Sequence, residues 1–334
     1  MRIGLWCRSD ESVGGGHLGR MLALAGAIRE RGDEAVLLLP SATRAFAAER
    51  IADHDIAACE NPASPPRGTW DWVCFDDYAV GRVEETAWRG AAGRLLVVDD
   101  LVDRPHDCDA LVDPQPYRRA AHYDGLLPSP ARRWIGPAYA PVSPTVAGRR
   151  AASLEVRKGC ALRRVVVSFG MARNRAPYDA ALKGLALAGL DLEVVCLVAD
   201  PEIADSLRHA HAGRVAGLSV RPTERDPSAI FAAADLVIGT PGVTTLELCV
   251  LGVPMILLVL RDIQSELGKA MAGRGCARVF THDDDAVDAI ARALGELAHP
   301  GVLGAMSAAA AATADGRGAA RIVEGLAAIC REAA

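Results

Sequence analysis

MRIGLWCRSDESVGGGHLGR, residues 1–20, sets a strand, a glycine turn and a helix start in immediate succession. Met1 to Cys7 is apolar enough for a short buried strand, and from Leu18 to Arg31 apolar residues recur at helical spacing. Leu18, Leu22, Leu24, Ala25 and Ile28 form the packed face. Arg29, Arg31 and Gly32 close the helix with cations and then a glycine, and Glu34 to Leu39 reads as a second strand. The result is a βαβ unit whose crossover opens on Gly14-Gly15-Gly16-His17. The glycines reach backbone conformations closed to other residues, and His17 arrives where the first N–H groups of a helix favour negative charge. An imidazole, with an ordinary pKa of about 6.5, takes a proton from water near neutrality, so His17 is a candidate general base. The competing reading is a surface or hydrogen-bonded core histidine. The turn has neither the spacing of a dinucleotide fingerprint nor the lysine of a P-loop.

The alternation continues. Trp72 to Phe75, a helix around Val83 to Trp88, and Arg94 to Val98 extend a parallel sheet. Asp76, Asp77 and Tyr78 follow one strand and Asp99 and Asp100 the next, at the edge where open α/β sheets bind ligands. From about Pro114 to Arg150 the pattern dissolves into prolines, arginines and small residues, which reads as an interdomain connection. It restarts at Arg164 to Phe169, followed by a helix from about Tyr178 to Ala188, the strand Leu192 to Val198, a helix around Ala229 to Ala234 and the strand Leu236 to Gly239. A helix from about Thr244 to Leu251 and the strand Met255 to Leu260 follow, and the alanine-rich tail from Ala289 reads as terminal helices. A chain of 334 residues, at about 150 per domain, predicts two doubly wound domains, 1–150 and 151–334.

Composition excludes several classes. The net charge is −5, without a basic block, and aromatics make up 4%, so neither a nucleic-acid groove nor a base-stacking platform is expected. No apolar run reaches the ~18 residues of a membrane span, because Val250 to Leu260 is broken by Gly252 and Pro254. No signal peptide is expected, since Met1-Arg2 leads straight into a strand. The nine cysteines lack C-x-x-C spacing, and Cys7, Cys74, Cys196 and Cys249 lie in apolar runs as reduced core thiols, which suits a cytoplasmic enzyme. His106, Cys108 and Asp109 resemble a metal cluster, but a second ligand set at suitable spacing is missing. No metal or cofactor is expected.

In the second domain Gly239-Thr-Pro-Gly-Val-Thr-Thr-Leu-Glu247 places a strand end, a turn and a helix N-terminus in succession. N–H groups near Thr244 and Thr245 suit a diphosphate, and Glu247, about one turn on, suits a ribose diol. The alternative is an N-cap at Thr244 with Glu247 as its capping-box partner.

Taken together, these segments resemble the UDP-sugar hydrolases of pseudaminic acid biosynthesis, which are similar in fold to the MurG-like GT-B glycosyltransferases. The resemblance is carried by residues 8–20, Asp77-Tyr78, Val98 to Asp109 and Ile135-Gly-Pro-Ala-Tyr139. It implies a GT-B fold, two Rossmann-like domains facing each other across a cleft, and cleavage of a UDP-linked 2,4-diacetamido-2,4,6-trideoxy sugar into UDP and free sugar. His17 would then be the base that activates water, with Asp10 and Tyr78 lining the sugar side. Gly14, Gly15, Gly16, Arg20, Gly170, Met171, Gly242, Thr244, Thr245, Glu247 and Gln264 would line the rest of the ligand. Two segments depart from the family: Gly170-Met171-Ala172-Arg173 replaces Gly-Gly-Thr-Asp, and Asp262-Ile263-Gln264 replaces Asp-Asn-Gln. Arg173 and Arg175 add charge that would compensate for the lost glycine. The rival functions are a glycosyltransferase using a UDP-sugar donor and a nucleotide-sugar binding protein without catalysis. The expected partner is a small-molecule UDP-sugar, with no nucleic acid and no membrane insertion, and the expected state is a monomer.

Overall fold

The computed structural model describes residues 1–10, 14–159, 161–170, 174–224, 226–283, 285–299 and 301–332. They divide into two compact units, Met1–Pro144 with Gly316–Ala334, and Thr145–Asp315. The first holds β1 (Arg2–Cys7), β2 (Glu34–Leu39), β3 (Asp55–Ala58), β4 (Trp70–Asp76), β5 (Ala92–Val98), β6 (Ala110–Asp113) and β7 (Arg132–Ile135). All pair in parallel, in the order β3-β2-β1-β4-β5-β6-β7. Helices cover a parallel sheet on both faces, which is why β1, β2, β4 and β5 read as continuous apolar runs. Winding outward from β1 to β3 and then restarting at β4 beside β1 reverses the strand order between β1 and β4, the place where such sheets bind ligands.

The second unit repeats the plan with β8 (Arg164–Ser168), β9 (Glu193–Val198), β10 (Leu218–Pro222), β11 (Leu236–Gly239), β12 (Met255–Val259) and β13 (Ala277–Thr281). Their order, β10-β9-β8-β11-β12-β13, puts the reversal between β8 and β11. Those two strands approach so closely that a Cβ on Gly239 would lie 2.7 Å from the Ser168 carbonyl oxygen. Only glycine leaves that gap.

Two sequence expectations change. The stretch 114–150 is not all connection, because β7 lies inside it as the outermost strand, its arginines partly solvated and Trp134 stacked on Tyr139 at 6.2 Å. The tail, assigned by sequence to 151–334, divides: helices Ala286–Leu297 and Val302–Thr313 stay with the second unit, while Gly318–Glu332 returns to the first. Ala319, Ile322, Val323 and Leu326 share a core with Leu18, Met21 and Leu24 of the Gly16–Glu30 helix. A Cβ on Gly325 would meet Trp134 at 2.4 Å, so this glycine is what lets the last helix lie against that ring. Helical periodicity identifies an apolar stripe but not the sheet that receives it.

Candidate functional site

In the first unit the strand-order reversal gathers a buried charged network. The Gly16–Glu30 helix starts directly after the glycine turn; Gly14 has φ +83°, and its N–H donates to the Asp10 carbonyl at 2.8 Å. His17, only 3% exposed, thereby meets the end of β4, where Asp76 is fully buried. His17 Nδ1 lies 2.5 Å from Asp76 Oδ1, and Arg20, one helical turn later, grips the same carboxylate with Nε and Nη2, each at 2.7 Å. Arg20 Nη1 reaches Asp100 Oδ2 at 3.1 Å. Arg20 Nη2 also lies 2.9 Å from His17 Nδ1. A guanidinium only donates, so the arrangement is consistent when Nδ1 carries the proton and both groups donate to Asp76. The lone pair of the neutral ring is then on Nε2.

The electrostatics follow from these contacts. Burial acts to raise the Asp76 pKa, but Arg20 and His17 outweigh it and hold the carboxyl down at about 2. Burial works against the charge of Arg20 as well, and Asp76 and Asp100 overcome it and push its pKa up. The Tyr78 ring meets His17 edge-on, centroids 4.5 Å apart; burial and then Asp100 push its pKa up, so the phenol keeps its proton and serves as a donor. A fixed carboxylate, an imidazole oriented by it and a phenol beside the ring make a device for accepting a proton from water or a hydroxyl.

Other residues are placed as follows. Asp10 is half-buried and closes the glycine turn with its carbonyl. Gly15 lies under the Arg50 guanidinium, since a Cβ there would stand 2.8 Å from Nη1. His106 Nδ1 bonds Glu85 Oε1 at 2.6 Å, while Asp109 pairs with Arg89 at 2.6 Å. Among the described residues no group of His, Cys, Asp and Glu is arranged to hold a metal ion. Also among them, no helix is long and apolar enough to cross a membrane.

In the second unit, Gly170 follows β8 with φ +64°, while Met171 and Arg173 lie outside the described residues. Arg175 is not a spare cation, being paired with Asp179 at 2.9 Å and bonded to Ser206 Oγ at 2.6 Å. The Val243–Leu251 helix is not capped by Thr244 with Glu247: Gly242 is the N-cap, its N–H donates to Thr245 Oγ1 at 3.0 Å, and Thr245 N–H donates to the Gly242 carbonyl at 3.0 Å. Thr245 is therefore a buried capping residue. First-turn N–H groups have no intrahelical acceptor, which leaves Val243 and Thr244 as the donors this terminus offers an anion. Glu247 is half-buried on the same helix. Gln264 is buried, and its Oε1 accepts from Leu260 N at 2.9 Å, Arg261 N at 3.1 Å and Thr240 Oγ1 at 3.0 Å. That oxygen ties the end of β12 to the end of β11, and only the amide nitrogen remains for a ligand.

The structure places Arg20 and Tyr78 beside His17 and adds Asp76 and Asp100, which the sequence does not single out as site residues. Their signal was present in their positions after two adjacent strands. Which of the strand-end carboxylates turns toward the histidine depends on β4 lying directly beside β1, with Cys7 paired to Asp76.

No family model and no curated protein matches the sequence. Solved structures do. MurG of Acinetobacter baumannii superimposes with a TM-score of 0.68 at 15% identity, over 98% of this chain and 99% of that one. The chain has the GT-B fold. A putative UDP-N-acetylglucosamine 2-epimerase from Listeria monocytogenes is a second GT-B relative in shape, with a TM-score of 0.60 at 16% identity, over 99% of this chain and 96% of that one. The spinosyn rhamnosyltransferase SpnG complexed with thymidine diphosphate matches with a TM-score of 0.56 at 19% identity, over 98% and 100% of the two chains. At these identities the likeness fixes the GT-B architecture and nothing finer.

Proposed function

We propose that this GT-B protein is an enzyme that hydrolyses a nucleoside-diphosphate sugar, with UDP-2,4-diacetamido-2,4,6-trideoxy-β-L-altropyranose as substrate and pseudaminic acid biosynthesis as its setting. The His17–Asp76 pair is the observation that carries the reading. Water attacks the anomeric carbon and passes a proton to His17 Nε2; the bond from that carbon to the diphosphate oxygen breaks, and UDP leaves with the electron pair. Asp76 stabilises the imidazolium that forms. Residues 1–150 supply the base and the sugar contacts. The second unit holds the nucleotide, with the N-terminus of the Val243–Leu251 helix at the diphosphate and Glu247 at the ribose, so charge developing on UDP is met by fixed N–H dipoles. No metal enters this route.

A transferase is the second reading, because MurG and SpnG share the fold and SpnG is named a rhamnosyltransferase bound to a nucleoside diphosphate. His17 would then deprotonate an acceptor hydroxyl. Incubating the protein with the UDP-diacetamido sugar and following UDP and free sugar by NMR separates the two. UDP release in water alone, lost in His17→Ala, supports hydrolysis; release only after an acceptor is added supports transfer. Undiminished turnover in His17→Ala removes the base assignment from both.

A further inference from the structure

We infer that Asp100 and Gln115 form a recognition site for a neutral ligand group rich in hydrogen-bond donors, a hydroxyl or an amide N–H, and that this edge of the first sheet rejects anions. The inference deepens the nucleotide-sugar reading and depends on it only for which molecule brings that group. Asp100 follows β5 and Gln115 follows β6, on neighbouring strands. Asp100 Oδ2 accepts from Arg20 Nη1 at 3.1 Å and from Gln115 Nε2 at 3.3 Å, and the Tyr78 hydroxyl bonds the same carboxylate. Its Oδ1 is buried with no hydrogen-bond partner among the described residues, on a side chain that is 10% exposed.

The Gln115 amide is oriented by the same contact, because a carboxylate accepts only from its NH2 group. Gln115 Oε1 is consequently turned away from Asp100, and it too is buried with no partner among the described residues. Buried acceptors are almost always satisfied, since leaving one unpaired forfeits its hydration. Two such oxygens on side chains bonded to each other call for donors from outside the chain.

Local charge says which donors. Asp76 and Asp100 share the single guanidinium of Arg20, and Asp77 answers Arg8 at 3.4 Å. Arg118 is turned to the carbonyls of Asp100 and Leu101 and to Asp113, and Arg104 pairs with Asp99. Carboxylates thus outnumber the cation that serves them at Arg20. A phosphate or uronate there would face like charge, whereas a hydroxyl or acetamido N–H meets two waiting acceptors.

Calorimetry with UDP, UDP-N-acetylglucosamine and UDP-glucuronic acid tests this on the full chain and on Gln115→Met, Gln115→Glu and Asp100→Asn, each checked for folding by its melting curve. The expected result is at least tenfold tighter binding of the neutral than of the anionic sugar nucleotide. Gln115→Met should weaken UDP-N-acetylglucosamine by about tenfold and leave UDP unchanged, Gln115→Glu should widen the neutral preference, and Asp100→Asn should narrow it. Equal affinity for the two sugar nucleotides, or folded variants that leave their ratio untouched, overturns the inference. If no nucleotide probe binds, the nucleotide reading falls by itself. Saturation-transfer NMR with free N-acetylglucosamine and glucuronate then decides: a neutral preference weakened in Gln115→Met sustains the site, and no binding of either sugar removes it.

Discussion

His17 Nδ1 sits 2.5 Å from Asp76 Oδ1, and Arg20 holds that carboxylate with two nitrogens at 2.7 Å each. The carboxylate is thus locked before it orients the ring. In Asp76→Asn the amide still fits, but its NH2 competes with Nδ1–H and favours the wrong tautomer. Turnover of the UDP-sugar should fall by roughly 10²- to 10⁴-fold with KM little changed, read by steady-state kinetics. A loss under tenfold would detach Asp76 from the chemistry.

Acid should expose the same carboxylate in a stability curve. The folded pKa of Asp76 lies at about 2, below the ordinary value near 3.9. A depressed folded pKa adds stability that is present above the unfolded pKa and lost as pH falls through the folded one. Melting temperature should therefore drop between about pH 4 and 2, and Asp76→Asn should remove that part of the slope.

Asp113 carries the opposite sign. Burial drives its pKa up to about 7, against hydrogen bonds from Gln115 N–H and the Tyr123 hydroxyl. Tyr123 Oη lies 3.0 Å from both Asp99 Oδ2 and Asp113 Oδ2, and one phenolic proton cannot serve two carboxylates, so a proton on Asp113 relieves the conflict. A raised folded pKa contributes stability that is full below about pH 4 and lost as pH rises towards 7. Denaturant titrations of Asp113→Asn across that window should show a flatter dependence than the natural protein; an unchanged slope would count against the assignment.

Two glycines should fail for different reasons. Gly239→Ala drives a Cβ to 2.7 Å from the Ser168 carbonyl oxygen and should cost about 1–3 kcal/mol through overpacking. Gly14 has φ +83° and nothing within 4 Å of the added Cβ, so Gly14→Ala should cost only about 1–2 kcal/mol of backbone strain. Chemical denaturation ranks them; the separating observation is that Gly14→Ala should lose turnover as well, because its turn sets the start of the helix bearing His17.

Gln264→Leu strands the N–H groups of Leu260 and Arg261 and should destabilise the protein by roughly 1–3 kcal/mol. Hydrogen exchange in the presence of UDP should slow from Gly239 to Leu251 more than from Gly14 to Arg20. Equal protection of both segments would argue against nucleotide binding in the second unit.

The sequence by itself determined the local chemistry: the strand, glycine turn and histidine of residues 1–20, the second turn at Gly239 to Glu247, and two α/β units. Those features depend on periodicity and on glycine's conformational range, which neighbouring residues encode. Short or partly solvated strands such as β3, β6 and β7 carry too few apolar positions to be read that way. Tertiary structure alone decided that Asp76 receives His17, that Thr245 caps its helix, that Gln264 Oε1 is spent between β11 and β12, and that the last helix returns to the first unit. Each of these depends on residues far apart in the chain, or on which neighbouring backbone group a side chain finds, and hydrophobic patterning specifies burial without specifying the partner.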